Sequence, residues 1–219
     1  MDNARRAGRR VLLAGATGLV GRECLELLVA DPGVVTVTAL VRRDPPAELR
    51  RSSKLRFERA DFDRLEDSRR LFAADQVVCA LGTTIRKAGS REAFRRVDFD
   101  YPLAMARLAL TLGARHFLLV SALGASARSS VFYSRVKGEL EEAVLALGYP
   151  SVTIVRPSLL LGEREEFRLG EEVAKRFAWA APRKYRPVAA RDVAAALVAA
   201  AREDRPGRRI IESAEIRPA

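Results

Sequence analysis

A glycine-rich turn near the start of the chain constrains the fold more than any other feature of the sequence. Gly15, Gly18 and Gly21 follow the apolar run 10–14 and begin a stretch, 19–29, with helical periodicity. Between a strand and a helix, such glycines permit a tight turn, a close approach of the backbone to a pyrophosphate and close helix packing. The N–H groups at the helix start then face the anion. The position predicts a dinucleotide site, with a ligand-free turn as the alternative. The predicted cofactor-binding residues of the turn are Gly15, Thr17, Gly18, Leu19, Val20 and Gly21.

Apolar strands alternate with amphipathic helices along the rest of the chain. Strands are predicted at 10–14, 35–41, 55–58, 76–81, 116–120, 152–155 and 209–211, and helices at about 19–29, 64–73, 91–112, 133–147, 170–178 and 191–202. This alternation predicts an α/β fold, a Rossmann-like doubly wound parallel sheet with helices on both faces. The length of 219 residues with 48% hydrophobic content predicts a single domain, 1–219, with about 158–219 contributing the substrate side.

The net charge of +11 indicates by itself a phosphate-bearing partner, whether nucleic acid, membrane surface or nucleotide. The basic residues are spread over the whole chain, singly or in pairs, and are not gathered in one block, which is typical of a solvated surface. We therefore expect no nucleic-acid partner, although a nucleic-acid-binding module stays open on the charge alone. No apolar stretch is long enough for a membrane span, because the longest uncharged run is 143–155.

The two cysteines, Cys24 and Cys79, have no neighbouring Cys or His at metal spacing. This spacing argues against a disulfide framework and against a zinc site. The sequence therefore predicts no metal and a reducing compartment. Residues 1–10 carry four arginines, and the apolar run after them has no small-residue cleavage site, which predicts a short basic tail and a cytoplasmic location. The preference for arginine over lysine suggests a bacterial source.

Two arginines stand at the end of the second predicted strand, where an NAD-dependent enzyme usually has an acidic residue for the ribose 2′-hydroxyl. Arg42 and Arg43 would instead pair with a 2′-phosphate, so the sequence predicts NADP(H) over NAD(H). Asp44 is the counter-candidate for a ribose ligand, and ordinary solvation of a strand end is the alternative for both arginines.

Two further stretches fall where the cofactor is expected. Asp61 and Phe62 follow the third strand, and Asp61 either accepts a hydrogen bond from adenine or caps the next helix. Leu81, Gly82 and Thr83 leave the fourth strand, which neighbours the first across the switch point of the sheet. Their backbone is therefore predicted to line the cofactor.

A tyrosine and a lysine four residues apart begin a predicted helix. This spacing puts Tyr133 and Lys137 on one helix face, and Ser121 ends the preceding strand. A phenol titrates near pH 10, about 3 units above neutrality, so it needs a neighbouring ammonium to exchange protons readily. The three residues predict hydride transfer to a small carbonyl-bearing substrate, with Tyr133 as proton donor, Lys137 on the ribose and Ser121 on the carbonyl. The rival hydroxyls are Ser126, Ser129 and Ser130.

Other interpretations stay open. Tyr133 and Lys137 could be a solvated surface pair, with Ser121 a turn residue. A nucleotide sensor of similar fold would bind NADPH without turnover and report it to a protein partner, which the sequence leaves unspecified. His116, which precedes a strand, is predicted to be structural.

These motifs together resemble the atypical short-chain dehydrogenase/reductases, and in particular their Tat-interacting-protein-type oxidoreductase branch. The resemblance extends over about residues 10–200 and rests on the segments 15–21, 42–43, 79–84, 87–89, 97–101, 116–121, 133–139 and 156–166. It implies a Rossmann-like fold that binds NADPH through the residues named above and through the loop after the sixth strand. In that loop the resemblance implicates Pro157, Leu160 and Arg168. The segment 162–186 is predicted to be a lid or a plain loop, with Phe177, Trp179 and Tyr185 walling a substrate pocket or packing the last helices.

Overall fold

Parallel strands form a seven-stranded sheet in the computed structural model, which describes residues 8–44, 52–161 and 182–218. The strands are β1 (Arg9–Ala14), β2 (Val34–Val41), β3 (Leu55–Arg59), β4 (Gln76–Cys79), β5 (His116–Val120), β6 (Ser151–Arg156) and β9 (Gly207–Glu212). Their order, β3-β2-β1-β4-β5-β6-β9, places the switch point between β1 and β4. Ligands of doubly wound sheets bind at the carboxyl ends of strands beside such a point. The predicted doubly wound parallel sheet is confirmed.

Two layers of helices cover the two faces of the sheet. The helices are α1 (Leu19–Ala30), α2 (Ile85–Ala88), α3 (Arg91–Arg95), α4 (Tyr101–Thr111), α5 (Phe132–Leu145) and α6 (Ala190–Glu203). Helices α1 and α6 pack on one face, and α4 and α5 on the other. Along β5, Leu118 enters the first layer while Phe117 and Leu119 enter the second, because side chains alternate along a strand. The residues of β5 after His116 are therefore all apolar. The helix predicted at 170–178 lies outside the described residues.

Shorter elements accompany the main sheet and its helices, among them 3₁₀ turns at Arg183–Tyr185 and Ser213–Glu215. Strands β7 (Leu160–Leu161) and β8 (Val188–Ala189) pair in parallel beside the main sheet. The helix predicted at 64–73 is a 3₁₀ helix, Leu65–Phe72, interrupted at Ser68. Its two buried side chains, Leu65 and Phe72, stand at its ends, so no continuous apolar stripe holds a regular α-helix there. No helix in the described ranges is both long enough and apolar enough to cross a lipid bilayer.

A π-helical turn interrupts the long helix predicted at 91–112. Residues Arg96–Asp100 join α3 to α4, and the Tyr101 N–H donates to the Arg96 carbonyl five residues earlier. Such single wide turns are rare and concentrate at functional sites. Here the wide turn carries Asp98, whose side chain is buried.

A second buried carboxylate lies at the amino ends of the strands. Asp31 Oδ2 accepts hydrogen bonds from Arg9 Nη2 at 2.6 Å and Arg202 Nε at 2.8 Å, and Asp31 Oδ1 accepts one from the Gly33 N–H at 2.8 Å. Burial alone would raise the pKa of Asp31, but the hydrogen bonds from Arg202 and Gly33 and the charge of Arg9 lower it overall. This cluster ties α1 to β1 and to the end of α6.

Candidate functional site

The turn after β1 has room only for glycine at two positions. Gly15 has a φ of +86°, and a Cβ there would lie 2.4 Å from the Ala80 carbonyl oxygen. A Cβ on Gly21 would lie 1.9 Å from the Gly15 oxygen. Within the described residues, no side chain caps α1, whose N-cap is Gly18. Its first N–H groups therefore remain available to an anion.

A cleft of about 610 Å³ opens at the carboxyl ends of β1, β4, β5 and β6. This volume falls in the range usual for small-ligand sites. The sequence-predicted residues that line the cleft are Gly18, Leu19, Val20, Leu81, Gly82, Thr83, Ser121, Tyr133, Lys137, Pro157 and Leu160.

A second cleft of about 480 Å³ continues the first across the switch point. The two share Gly18 and residues 80–83, and the second also reaches Gly15, Thr17, Arg42, Phe62 and Lys87. The Tyr101 ring stacks at a tilt on the Phe62 ring, 5.6 Å between centroids, which supplies an aromatic wall. Together the two clefts form one groove. Its inner end is the first cleft, with Ser121 and Tyr133, and its outer end is the second cleft, with Arg42 and Phe62. This elongated shape suits a dinucleotide.

Three predicted residues of the outer end differ in position. Arg42 lines the second cleft, whereas Arg43 is exposed beside it and is absent from the described lining. Asp61 Oδ1 accepts a hydrogen bond from the Asp63 N–H at 3.0 Å and is exposed outside the groove. That contact is a local turn and not a helix cap, because the following 3₁₀ helix has Arg64 as its N-cap with no capping side chain among the described residues. The adenine contact of Asp61 stays a prediction.

An ion pair is buried at the inner end. Lys137 Nζ lies 2.7 Å from Asp98 Oδ1, and the side chains are 5% and 0% exposed. Asp98 Oδ2 accepts a hydrogen bond from the Thr83 N–H at 2.9 Å. Burial would lower the pKa of Lys137, but the Asp98 carboxylate, with Tyr133, raises it overall. Lys137 is therefore held as an ammonium.

The role of Asp98 was not predicted from the sequence. Its signals are an acid between apolar neighbours, Val97 and Phe99, in a predicted helix and a place in the segment 97–101 of the family resemblance. Neither signal identifies a partner for the carboxylate. The π-helical turn supplies the missing information, because it directs Asp98 toward α5. A Cβ on Gly82 would lie 3.5 Å from Asp98 Oδ1 and 3.8 Å from Lys137 Nζ, so residue 82 packs directly against the pair.

Ser121 carries a buried hydroxyl with no hydrogen-bond partner among the described residues. Its Oγ is buried in the cleft wall, and the residue is 5% exposed. A buried polar group without a partner is rare and calls for an explanation, such as a ligand. Ser126 and Ser129 instead accept hydrogen bonds from nearby backbone N–H groups, and neither they nor Ser130 belongs to the described lining.

Close packing fixes the start of α5 and with it Tyr133. The Ser126 N–H donates to the Ser134 carbonyl at 3.0 Å. A Cβ on Gly138 would lie 2.2 Å from the Ala127 nitrogen, so only glycine lets the preceding loop approach the helix this closely. The Tyr133 ring also packs on Phe94, with 5.6 Å between centroids.

The remaining predicted residues divide into three groups. Tyr185 lines the cleft with Pro157 and Leu160. His116 lies at the amino end of β5, where it contacts Asp204 and Thr153 and is buried, which lowers its pKa. Arg168, Phe177, Trp179 and most of the predicted lid lie outside the described residues.

Neither cysteine belongs to a cluster. Cys24 and Cys79 are free and buried, and burial raises their pKa values to about 12 and about 11. Such thiols are unreactive. In the described ranges, no group of three or more His, Cys, Asp or Glu side chains could hold a metal ion.

Comparison with known proteins shows the family to which the chain belongs. A family model described as NAD(P)H-binding matches residues 15–204. The chain belongs to this NAD(P)H-binding family. The chain is 38% identical over 170 residues to Protein HTATIP2 of Rattus norvegicus, a match covering 77% of this chain and 70% of that protein. It is 36% identical over 167 residues to the mitochondrial Protein FMP52 of Candida albicans, covering 74% and 72%. The predicted place among the atypical short-chain dehydrogenase/reductases is confirmed.

Solved structures support the same fold. The UDP-glucose 4-epimerase of Thermotoga maritima is 16% identical, with a TM-score of 0.71, covering 94% of this chain and 77% of that one. The enzyme WbmG of Bordetella bronchiseptica, in complex with NAD, is 16% identical with a TM-score of 0.71, covering 98% and 76%. At this identity the likeness concerns the Rossmann-like fold alone.

Two expectations from the sequence are wrong by this comparison. The relatives of this chain in Candida albicans, Emericella nidulans and Rattus norvegicus are eukaryotic, which contradicts a bacterial source. The fungal relatives are named as mitochondrial proteins, which contradicts a cytoplasmic location. Arginine content and cysteine spacing describe surface charge and redox chemistry, and neither property encodes a cellular address.

Proposed function

We propose that the protein is an NADPH-dependent oxidoreductase that reduces a small carbonyl-bearing substrate. NADPH, when bound, supplies the hydride to the carbonyl carbon. The chain's own groups bind the cofactor, orient the carbonyl and deliver a proton to its oxygen. Residues 1–219 would act as one domain, with the part after about residue 158 completing the substrate side.

The observation that carries the proposal is the unpartnered Ser121 hydroxyl in the cleft that Tyr133 and Lys137 also line. In the proposed reaction, Ser121 Oγ donates a hydrogen bond to the carbonyl oxygen. The Tyr133 hydroxyl transfers its proton to that oxygen as the carbonyl carbon accepts hydride. The Lys137 ammonium stabilises the resulting phenolate and binds the ribose, and Asp98 holds Lys137 in place.

We assign cofactor binding to the rest of the groove. The first turn of α1 would bind the pyrophosphate, because its N–H groups are uncapped. Arg42, with Lys87 in the same cleft, would bind the 2′-phosphate and select NADP(H), and Arg43 would add to the positive field. The proposed contacts along the groove are Gly15, Thr17, Gly18, Leu19, Val20, Gly21, Phe62, Leu81, Gly82, Thr83, Pro157 and Leu160.

The test is NADPH oxidation with a panel of aldehydes, ketones and quinones. Tyr133→Phe should abolish reduction, with a loss of about 10²-fold or more, and spare NADPH affinity, because only the transferable proton is removed. Tyr149→Phe is the matched control, since the Tyr149 hydroxyl donates to the Ala106 carbonyl on the far side of the core and should not affect turnover. Full activity of Tyr133→Phe would contradict the proposed mechanism.

One observation favours the alternative, a sensor that binds NADPH without turnover and reports it to a protein partner. Asp98 compensates the Lys137 charge at 2.7 Å, which weakens the effect of the ammonium on a neighbouring phenol. Tight NADPH binding without oxidation by any member of the panel would support the sensor.

A further inference from the structure

The inner end of the groove combines a small polar site with an apolar wall. The polar groups are Ser121, Tyr133 and the Lys137–Asp98 pair. The loops after β5 and β6, the start of β7 and the 3₁₀ turn Arg183–Tyr185 add a wall of apolar side chains. This apolar wall consists of Leu123, Pro157, Leu159, Leu160 and Tyr185.

Two members of the apolar wall are unusually exposed for their type. Leu159 is 46% exposed and Tyr185 is 54% exposed, although both line the concave cleft. Large apolar side chains that meet water inside a cleft, beside groups able to act on a carbonyl, indicate a ligand that covers them.

Polar groups in the two loops of the same wall are already paired. The Pro157 carbonyl accepts a hydrogen bond from the Leu123 N–H at 2.8 Å, and the Leu159 carbonyl accepts one from the first residue of β8 at 2.9 Å. The Ser158 hydroxyl donates to the Arg186 carbonyl. These groups have few hydrogen bonds left to offer a polar substrate body.

The charge of the cleft is also compensated. Among its described lining residues, the charged side chains are Lys137 and Asp98, which lie 2.7 Å apart. A carboxylate or phosphate on the substrate would lose hydration at these residues without gaining an uncompensated cation among them. Lys184, whose Nζ lies 4.9 Å from the centroid of the Tyr185 ring, does not belong to the described lining.

We infer that the substrate is an uncharged carbonyl compound with an apolar body, such as a medium-chain aldehyde. The carbonyl lies at Ser121 and Tyr133, and the hydrocarbon covers Leu159 and Tyr185. This inference rests on the proposed reduction and specifies its substrate class.

The test measures kcat/KM with NADPH for straight-chain aldehydes from propanal to octanal. The value should rise with each methylene, by up to about four-fold, which corresponds to about 0.8 kcal/mol per buried CH₂. At equal ring size, 4-methylbenzaldehyde should be preferred over 4-carboxybenzaldehyde by roughly ten-fold or more, since the carboxylate loses hydration without a compensating cation. A flat dependence on chain length, or a preference for the carboxylate, overturns the inference.

A pair of matched variants assigns the effect to the wall. Leu159→Thr should reduce the rise in kcat/KM per methylene, because it removes apolar surface that the chain would cover. Ile210→Thr is the control, since Ile210 is 40% exposed on the edge strand β9 and does not line the cleft. An equal rise in both variants contradicts the assignment.

A binding measurement separates failure of the inference from failure of the proposed reduction. Straight-chain primary amides resemble the aldehydes and cannot be reduced by hydride transfer, so their affinity for the protein with NADPH can be measured by calorimetry. Suppose that no aldehyde is reduced, but that amide affinity rises with chain length and weakens in Leu159→Thr. The proposed reduction would then be wrong, and the apolar wall would still be supported as the binding site for the hydrocarbon. Amides that do not bind, or that bind without dependence on length, overturn the inference.

Discussion

Two buried carboxylates at opposite ends of the sheet show how similar ion pairs serve different purposes. Asp31, at the amino ends of the strands, is 3% exposed and binds two guanidinium groups and a backbone N–H. Asp98, at the carboxyl ends, is 1% exposed and has one ammonium and one backbone N–H. The first joins β1, α1 and α6, whereas the second lies in the wall of the groove.

The difference lies in what the cations can still do. Arg9 and Arg202 are committed to Asp31, so their effect is confined to the fold. Lys137 is held by Asp98 from one side and lines the cleft, so a ligand can still reach it. Removing the acid should therefore change stability at one end of the sheet and function at the other.

The largest expected effect concerns Asp98→Asn. The amide keeps the size of the side chain and can still accept the Thr83 N–H, but Lys137 loses its counter-charge. Turnover should fall by about 100-fold. The pKa of Lys137 should also fall, so the alkaline loss of activity should begin at lower pH. Steady-state kinetics across pH measures both, and an unchanged pH profile would mean that Asp98 has only a structural role.

The next effect concerns Asp31→Asn. This change leaves two guanidinium groups without a carboxylate, and because Arg202 is half exposed we expect a loss of about 2 kcal/mol in the free energy of unfolding. Turnover and NADPH affinity should not change. Urea denaturation gives the loss, and Asp75→Asn, in an exposed pair with Arg10, should lose less than about 1 kcal/mol.

The pH dependence of the Asp31 contribution has a definite sign. Because the folded protein lowers the pKa of Asp31, its contribution is fully present above the unfolded pKa of about 3.9. It is lost as the pH falls through the folded pKa. The difference in stability between wild type and Asp31→Asn should therefore be constant near neutrality and shrink only in acid. A difference that shrinks at alkaline pH would contradict the assignment.

The smallest effects are expected for two arginines at opposite ends of the sheet, Arg42 beside the groove and Arg202 beside Asp31. Arg42→Ala should weaken NADPH binding by about ten-fold, as expected for an exposed charge-assisted contact, and leave NADH binding and stability unchanged. Arg202→Ala should lower stability by about 1 kcal/mol and leave both affinities unchanged. Fluorescence titration and denaturation distinguish these results, and equal loss of NADH affinity in Arg42→Ala would remove the 2′-phosphate role.

Local patterns made the fold predictable. The alternation of apolar strands and amphipathic helices predicts the sheet because each element must bury one face or both. The turn 15–21 was readable because its glycine spacing is a local pattern between a strand and a helix, and Gly21 is required by its contact with the Gly15 oxygen within that unit. The spacing of Tyr133 and Lys137 likewise depends on helix geometry alone.

Contacts between distant residues were not predictable from such patterns. Asp31 and Arg202 are separated by 171 positions, and no periodicity relates them. Asp98 meets Lys137 only because a π-helical turn widens the helix, and the sequence 96–100 carries no signal for that turn. The wrong expectation of source came from the arginine-rich composition, and that of location came from the basic stretch 1–10 and the cysteines. Proteins of many compartments share these features.

The close contact of Gly15 with Ala80 also determines when, during folding, the glycine-rich turn can reach its final shape. The turn after β1 is completed by residues that follow β4, with β2 and β3 between them in sequence. Because such a non-local pairing forms only after a long loop closes, the turn cannot reach its final shape on a nascent chain shorter than about 80 residues. A nascent chain should therefore begin to bind a dinucleotide only once β1 has paired with β4.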